Sequence, residues 1–134
     1  MSSIFEFSSQ RIAQKGVIFI VKDSTQSNYR RGVMSLVILS LLQREDMYGY
    51  QLVQETARLS GGRLTTQEGS LYPVLYRLQD QGFISDQRVL VGKRMTRVYY
   101  HLLPAGAERL KELIKEYTEV TAGVFAIITG EEET

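Results

Sequence analysis

The sequence of 134 residues contains no cysteine and a single histidine, His101. Without cysteine the chain can form no disulfide bond, no thiolate zinc site and no cysteine nucleophile. One histidine leaves little for acid–base or metal chemistry, and the sequence has no glycine-rich nucleotide-binding motif and no nucleophile elbow. We therefore expect no enzymatic activity, no catalytic residue, no metal site and no cofactor.

The sequence also has little net charge and no long apolar segment. Sixteen basic against fifteen acidic side chains leave a charge of +1, so no overall field marks the chain as a nucleic-acid or membrane binder. The apolar run GVIFIV, at residues 16–21, is too short to span a bilayer or to form a signal-peptide core. We therefore expect a cytoplasmic chain of one domain, without a membrane partner.

The charge is unevenly distributed. Residues 30–97 hold ten basic against six acidic side chains, a net charge of +4, whereas residues 105–134 hold three against seven, a net charge of −4. Such an asymmetry indicates that the basic segment faces nucleic acid and that the acidic segment faces a different partner. Chance and a solvated acidic helix would give the same counts.

Two helices are predicted in the first half of the chain. The run VMSLVILSLL, at residues 33–42, is apolar nearly all round, so it needs two packing partners, the core of its own domain and a second subunit. A second helix is predicted from about Tyr48 to Leu59, with Asp46 as its N-cap and Gly61-Gly62 as its stop.

A third helix contains the sequence LYPVLYRLQDQ. Its inward stripe consists of Leu71, Leu75 and Leu78, at positions i, i+4 and i+7. Gly82 fits the left-handed position that ends a helix, and Phe83 can pack back onto the last turn as part of that cap.

The start of the third helix is placed between Thr66 and Ser70. Thr65 and Glu68 match a capping box, which sets the early limit. Pro73 has no N–H and clashes with the carbonyl four residues back, so it belongs in a first turn.

Residues 83–103 predict a β hairpin with a basic tip. β-Branched and aromatic residues alternate on both sides of Gly92-Lys93-Arg94, as in two strands joined by a turn. On the second strand one face carries Val98, Tyr100 and Leu102, and the other carries Arg97, Tyr99 and His101. We expect His101 to be a packing or surface residue.

A long helix is predicted after Pro104. Apolar residues follow heptad spacing for three repeats, a stripe better explained by pairing with a second copy of the chain than by folding back alone. The expected dimer contacts are Met34, Val37, Ile38 and Leu41 on the first helix and Leu110, Ile114, Tyr117, Thr121, Val124 and Ile128 on the long helix. Tyr117 and Phe125 have an alternative role, the lining of a ligand pocket beside the partner's first helix.

Three helices followed by a hairpin with a basic tip describe a winged helix-turn-helix, a mainly α fold with a small β hairpin. We assign residues 1–29 to an N-terminal extension of undecided structure. Residues 30–103 form the winged helix-turn-helix domain, residues 104–129 the dimerisation helix, and residues 130–134 a frayed tail.

In this class the third helix enters the major groove of DNA, so the side opposite its leucine stripe faces the groove. Arg77 can hold a phosphate or a guanine edge, Gln67 can pair with adenine, and tyrosine or serine hydroxyls can hold backbone oxygens. The predicted DNA contacts are Thr66, Gln67, Ser70, Tyr72, Pro73, Tyr76 and Arg77 on the third helix and Lys93, Arg94 and Arg97 on the wing. The alternatives are solvated basic side chains and half-buried packing of the tyrosines.

Three stretches resemble the PadR family of bacterial transcriptional regulators: YGYQL at 48–52, EGSLYPVLYRLQDQGFI at 68–84 and RVYYHLLPAGAERL at 97–110. The resemblance covers about residues 31–119. It implies a two-fold dimer formed by the C-terminal helix, a pseudo-palindromic promoter site, repression in most members, and release by a small aromatic or drug-like ligand. The single C-terminal helix is similar to that of the short, multidrug-sensing subgroup.

The chain departs from the family pattern in two places. Leu103 stands where the family usually has threonine before the last helix, and it cannot cap that helix. No tryptophan is present, so the indole pair that sandwiches flat drugs in some relatives is missing.

A second hypothesis is a protein-interaction module that has the same fold without operator affinity and docks through its acidic helix. Intramolecular ion pairs at the basic groups of the third helix and the wing would favour it.

Overall fold

A computed structural model of the chain describes residues 32–130. The predictions for residues 1–29 and for the tail after residue 130 lie outside the described residues. Val33–Lys115 form one compact unit, and residues 116–130 belong to a second. Among residues 32–130, no helix is both long enough and apolar enough to cross a membrane.

Residues 32–130 form four helices and one small sheet. In chain order the elements are α1 (32–44), β1 (Met47–Tyr48), α2 (Gly49–Leu59), α3 (Glu68–Asp80), β2 (Ile84–Val91), β3 (Met95–Leu102) and α4 (Pro104–Thr129). The sheet has the strand order β1-β3-β2, and both strand pairs are antiparallel. The predicted mainly α fold with a small β hairpin is confirmed.

The core is built around the inward stripe of α3. Leu71 and Leu75 are 0% exposed and Leu78 is 2% exposed, as their spacing predicts. Ile38 and Leu39 of α1 belong to the same buried cluster. Burying a side chain of this size stabilises the fold by about 1.5–3 kcal/mol, so these five residues fix how α1 and α3 face each other.

The start of α3 differs in detail from the prediction. The helix begins at Glu68, inside the predicted interval, but Gln67 is its N-cap and makes no side-chain cap bond. The capping box of Thr65 and Glu68 is therefore wrong. Pro73 lies inside the helix, beyond its first turn. A proline in a helix interior costs about 3 kcal/mol, which the burial of three leucines outweighs.

The two helix ends marked by glycine are as predicted. Gly82 has φ of 78°, and the N–H of Phe83 donates to the carbonyl of Leu78 at 3.0 Å, which closes a Schellman cap. Gly61 and Gly62, with φ of 63° and 80°, end α2.

The short strand β1 was not predicted from the sequence. It pairs with Tyr99–Tyr100 of β3, so α2 begins one residue later than expected, and its N-cap residue, Tyr48, makes no side-chain cap bond. The prediction of Asp46 as N-cap is wrong, because the pairing of β1 places Asp46 beside β3. There Oδ1 of Asp46 lies 2.8 Å from Nδ1 of His101, an exposed residue as expected.

The hairpin lies within the predicted residues 83–103, and the last helix begins at Pro104, as its sequence predicts. β2 and β3 pair in register from Ile84 opposite Leu102 to Val91 opposite Met95, so residues 92–94 form the turn. The long helix α4 runs to Thr129.

The first turn of α4 lies against the backbone at the end of α3. The N–H of Leu103 donates to the carbonyl oxygen of Phe83 at 3.0 Å. Gly106 lies so close to the same oxygen that an added Cβ would overlap it, and this Cβ would lie 2.7 Å from Cδ1 of Leu102. Only glycine fits at this contact.

We expect Gly106→Ala to lower the free energy of unfolding by about 1–3 kcal/mol or more, because the overlapping neighbour is backbone. Gly69→Ala in α3 is the control, since an added Cβ there meets nothing within 4 Å, and it should leave stability unchanged or raise it by up to about 1 kcal/mol. Urea unfolding measures both. Equal stabilities for the two variants would contradict the close approach.

Candidate nucleic-acid interface

One face of α3 is exposed opposite the leucine stripe. Ser70, Pro73 and Arg77 lie on it at positions i, i+3 and i+7, and all three are exposed. Arg77 donates from Nη2 to Oγ of Ser35 on α1 at 3.2 Å. This hydroxyl holds the guanidinium in place without neutralising it, and other N–H donors of the group remain available.

The two predicted contacts before α3 lie at its N-terminus. Gln67 is exposed, and Thr66 is half-buried with its hydroxyl 3.4 Å from the carbonyl oxygen of Gln67. Backbone N–H groups at a helix N-terminus lack intrahelical partners and favour an anion such as phosphate.

The three basic residues of the wing that are predicted to contact DNA differ in environment. Lys93 and Arg94 are exposed in the turn. Arg97 is half-buried, with its guanidinium carbon 4.4 Å from the centre of the Tyr48 ring. Tyr99 supports that ring edge-on, with ring centres 5.4 Å apart. Of these three predicted contacts, one is a fixed cation beside β1 and two are cations at the tip of the wing.

The ion pairs within residues 32–130 involve other cations. They are formed by Arg58, His101, Arg109 and Lys111, each with a carboxylate. Arg77, Lys93, Arg94 and Arg97 therefore have no carboxylate partner among the described residues. Within residues 32–130, their charge is left for an external anion.

The two tyrosines predicted on α3 differ in exposure. Tyr72 is half-buried and donates from its hydroxyl to Oε2 of Glu68 at 3.3 Å. Tyr76 is 57% exposed and stacks on Tyr72, with ring centres 6.1 Å apart. Tyr72 therefore packs against Tyr76, and most of the Tyr76 side chain stays exposed.

Gly49 allows Tyr72 to reach this position. An added Cβ on Gly49 would lie 2.8 Å from the hydroxyl oxygen and 3.2 Å from Cζ of Tyr72. The ring therefore rests directly on the first turn of α2. Gly49 belongs to the motif YGYQL, but no role for it follows from the sequence, because its contact with Tyr72 joins segments more than twenty residues apart.

A cleft of about 490 Å³ lies between α3, the start of α2 and the hairpin. It adjoins Tyr72, Tyr76 and Arg97, which were predicted. Its other lining residues were not assigned from the sequence; they are Tyr48, Gly49, Tyr50, Glu68, Asp86, Arg88, Thr96, Val98 and Tyr100. Alternation along β2 places Asp86 and Arg88 on the same face of that strand. Only the pairing register of β2 with β3 shows that Tyr100 lies on this face as well.

Tyr100 lies on the wall of this cleft, with 3% of its surface exposed. Burial, and to a lesser extent the neighbouring Tyr72, Tyr76 and Asp86, raise the pKa of its phenol to about 12. The phenol is therefore neutral at physiological pH and adds no negative charge to the face that carries the basic residues.

The predicted dimer contacts fall into three groups according to their exposure. Met34, Ile38, Leu41 and Leu110 are buried in the core of their own chain, so they have almost no surface left for a second subunit. Val37 is partly buried against that core, and Thr121 is half-buried. The exposed members all lie on α4 and are Ile114, Tyr117, Val124 and Ile128.

The two residues predicted to line a ligand pocket, Tyr117 and Phe125, are both exposed and about two turns apart on α4. Val120 and Ile127 add to the exposed apolar surface of this helix. No three His, Asp or Glu side chains within residues 32–130 are placed to hold a metal ion.

Helices α2 and α3 with the basic hairpin that follows define a winged helix-turn-helix protein. In this class of fold the helix at the position of α3 is the recognition helix. A sequence profile of the transcriptional regulator PadR-like family matches residues 38–112. The chain belongs to this family, whose members are DNA-binding regulators and not enzymes. The resemblance seen in the motifs is confirmed.

Three known proteins show the extent of the similarity. An uncharacterised protein of Lysinibacillus sphaericus is 33% identical over 95 residues, which cover 71% of this chain and 87% of that protein. A transcriptional regulator from Clostridium thermocellum has a TM-score of 0.66 at 30% identity, covering 73% of this chain and 94% of that one. Bacillus subtilis PadR, solved in complex with operator DNA, has a TM-score of 0.58 at 26% identity, covering 61% of this chain and 47% of that one.

We expect Tyr100→Phe to make the fold less sensitive to alkali. In the unfolded chain a tyrosine ionises near pH 10, whereas folded Tyr100 keeps its proton to about pH 12. The free energy of unfolding therefore falls as pH rises through this interval, by about 1.4 kcal/mol at pH 11 from this group alone. Urea unfolding near neutral and at high pH measures the loss, and Tyr50→Phe at an exposed tyrosine is the control. An equal loss in Tyr100→Phe and wild type would contradict the assignment.

Proposed function

We propose that the chain is a homodimeric repressor that binds a pseudo-palindromic promoter site and blocks transcription by occlusion. The observation that carries DNA binding is that the basic residues of α3 and the wing have no carboxylate partner among the described residues. The complex of Bacillus subtilis PadR with operator DNA supports the same use of the fold. Such a repressor would work in the bacterial cytoplasm, where promoter DNA lies.

In the proposed complex α3 lies in the major groove. Ser70 and Arg77 face base edges or phosphates, and Gln67 reaches a base at the start of the helix. Tyr76 holds a backbone oxygen through its hydroxyl. The phosphate backbone passes over the cleft toward the wing, where Arg97 contacts it.

The dimer is proposed to form through α4. Its exposed apolar residues are unfavourable in water and become buried when a second copy pairs with them. A two-fold dimer places two copies of α3 in successive major grooves on one face of the duplex, so half-sites are expected about 34 Å apart or at a multiple of that distance.

An effector would act on this dimer. Tyr117 and Phe125 present aromatic surface that the partner's first helix would cover, and a flat aromatic ligand between the subunits would change their spacing. Such a ligand weakens DNA binding only by the difference between its affinities for the two dimer shapes. Unchanged DNA affinity across phenolic and planar cationic compounds would remove this part of the proposal.

We expect Arg77→Ala to weaken binding to the duplex that the full chain selects from a random pool. The loss is about 1–3 kcal/mol if Arg77 reads a base, and the slope of log K against log salt becomes shallower by about 0.9 if it holds a phosphate. Fluorescence anisotropy at several salt concentrations separates the two results.

Arg58→Ala is the matched control, because the guanidinium of Arg58 is already bound to Glu55 at 2.6 Å. It should change neither the affinity nor the salt slope. If Arg77→Ala also changes neither, the assignment of Arg77 is wrong. If the wild-type chain selects no duplex and instead binds a protein through its acidic helix, the interaction-module hypothesis replaces DNA binding.

We expect Val124→Glu to convert the dimer to a monomer at micromolar concentration, because an unpaired buried carboxylate costs the interface on the order of 3 kcal/mol. Ala122→Glu, two residues away on the outer side of the heptad pattern, is the control and should leave the dimer intact. Light scattering gives both masses. A wild-type monomer, or a dimer that survives Val124→Glu, would contradict pairing through this stripe.

A further inference from the structure

The cleft between α3, the start of α2 and the hairpin contains a hydroxyl group that the described residues do not satisfy. Tyr100 lines this cleft and is 3% exposed, and none of the hydrogen bonds among residues 32–130 uses its hydroxyl. Every fully buried side-chain nitrogen or oxygen within these residues has a partner, so the Tyr100 oxygen opens into the cleft. A polar group in this position takes its partner from whatever occupies the cleft.

The polar groups around this hydroxyl are mainly hydrogen-bond acceptors. Burial first, and then the neighbouring Tyr72, Tyr76 and Asp86, raise the pKa of the Tyr100 phenol, so these groups lie close to it. The Tyr72 hydroxyl already donates to Glu68, and an ionised carboxylate only accepts. A ligand that brings N–H donors therefore satisfies this end of the cleft better than a ligand that brings acceptors.

The charge at the same end favours a cation. Asp86 lies directly opposite Tyr100 in the pairing of β2 with β3, and it forms no ion pair within residues 32–130. Arg88 lies on the same face of β2 but about 6.6 Å closer to the turn. Arg97 is also closer to the turn, where its guanidinium is held over the ring of Tyr48. The arginines therefore line the outer part of the cleft, and the end beside Tyr100 is acidic.

The cleft also offers aromatic surface and enough space for a small molecule. Tyr76 lines it, stacks on Tyr72 and is 57% exposed. A tyrosine ring attracts both a second aromatic ring and a cation. The volume of about 490 Å³ lies within the range of about 300–1,000 Å³ that small-molecule sites have. These features together fit a molecule that carries an aromatic ring and a protonated amine.

We propose that this cleft binds an arylalkylammonium ion, in which a short chain joins an aromatic ring to a protonated amine. The ammonium group lies between the carboxylate of Asp86 and the hydroxyl of Tyr100, and the aromatic ring lies against Tyr76. The site is formed by other elements than the effector surface proposed at Tyr117 and Phe125 on α4.

A ligand in this cleft excludes DNA. In the proposed complex Tyr76 holds a backbone oxygen and the phosphate backbone passes over the cleft, so a ligand against Tyr76 takes the place of that contact. This consequence rests on the proposed function, whereas binding of the ligand does not. For mutually exclusive binding, a ligand at about ten times its dissociation constant weakens the apparent DNA affinity about tenfold.

Three indole compounds of similar size test the ligand class. Tryptamine carries a positive charge, tryptophol carries none, and indoleacetate carries a negative charge. Each is titrated without DNA into the full chain with isotope-labelled tyrosine rings, and binding is followed by nuclear magnetic resonance. We expect tryptamine to bind most tightly and to shift the signals of Tyr72, Tyr76 and Tyr100. Tightest binding of indoleacetate, no binding of tryptamine, or shifts confined to Tyr117 would overturn the site.

Two variants test the position of the ammonium group. Asp86→Asn removes the charge with little change in shape, so it should weaken tryptamine binding about fivefold and leave tryptophol binding unchanged. Asp80→Asn is the matched control, because Asp80 is an exposed aspartate outside the cleft, and it should change neither. Thermal melting verifies that both variants fold. Equal affinity of the two variants for tryptamine would mean that Asp86 does not hold the ammonium group, and the proposal would be wrong.

Exclusion of DNA is measured by fluorescence anisotropy with the duplex that the full chain selects from a random pool. Tryptamine should weaken DNA binding more than ethylammonium at the same concentration, which supplies the charge without the ring. Asp86→Asn should reduce this difference, which a direct effect of tryptamine on the duplex would not allow. Equal effects of the two amines would overturn the exclusion. If the chain selects no duplex, the proposed function fails, while the titration without DNA still decides whether the cleft binds the ammonium ion.

Discussion

The burial of three leucines on one side of α3 is the interaction on which the rest of the structure depends. Leu71, Leu75 and Leu78 fill the space between α1, α2 and the hairpin. At about 1.5–3 kcal/mol each, their burial equals a large part of the stability of a domain of this size. A rotation of α3 by one residue, about 100°, would expose them. The direction in which Ser70 and Arg77 face is therefore set by side chains buried on the opposite side of the helix.

Elements with local signals could be predicted from the sequence, and elements held by distant pairing could not. The Schellman cap at Gly82 and the hairpin turn at residues 92–94 each involve a few neighbouring residues, so their residue types identify them. β1 has two residues, too few for alternation to be recognised, and it is a strand only because β3 lies beside it. Asp46 was misassigned for the same reason, since its partner His101 is 55 residues away.

In the candidate site, too, the features that depend on neighbouring residues could be predicted, and those that depend on distant segments could not. The outward stripe of α3 follows from helical periodicity once the leucines are known. The cleft is lined by residues from three separate segments, so its lining could not be predicted from local sequence patterns. Apolar character also cannot distinguish burial within a chain from burial between chains. Ile38 and Leu110 were expected at a dimer interface for their hydrophobicity, yet they lie in the core of their own chain. The exposed apolar residues of α4, such as Val124, are the ones that the core of their own chain does not cover.

A nearly neutral chain can still present a binding face for a polyanion, because the position of the acidic residues matters more than the number of basic ones. Arg58 is neutralised by a carboxylate, whereas Arg77 is held by the hydroxyl of Ser35 and Arg97 by the ring of Tyr48. A hydroxyl and an aromatic ring restrict a guanidinium without cancelling its charge. Restriction before binding lowers the entropy lost when DNA is bound. The two arginines are thus both ordered and charged, a combination that an ion pair within the chain would not allow.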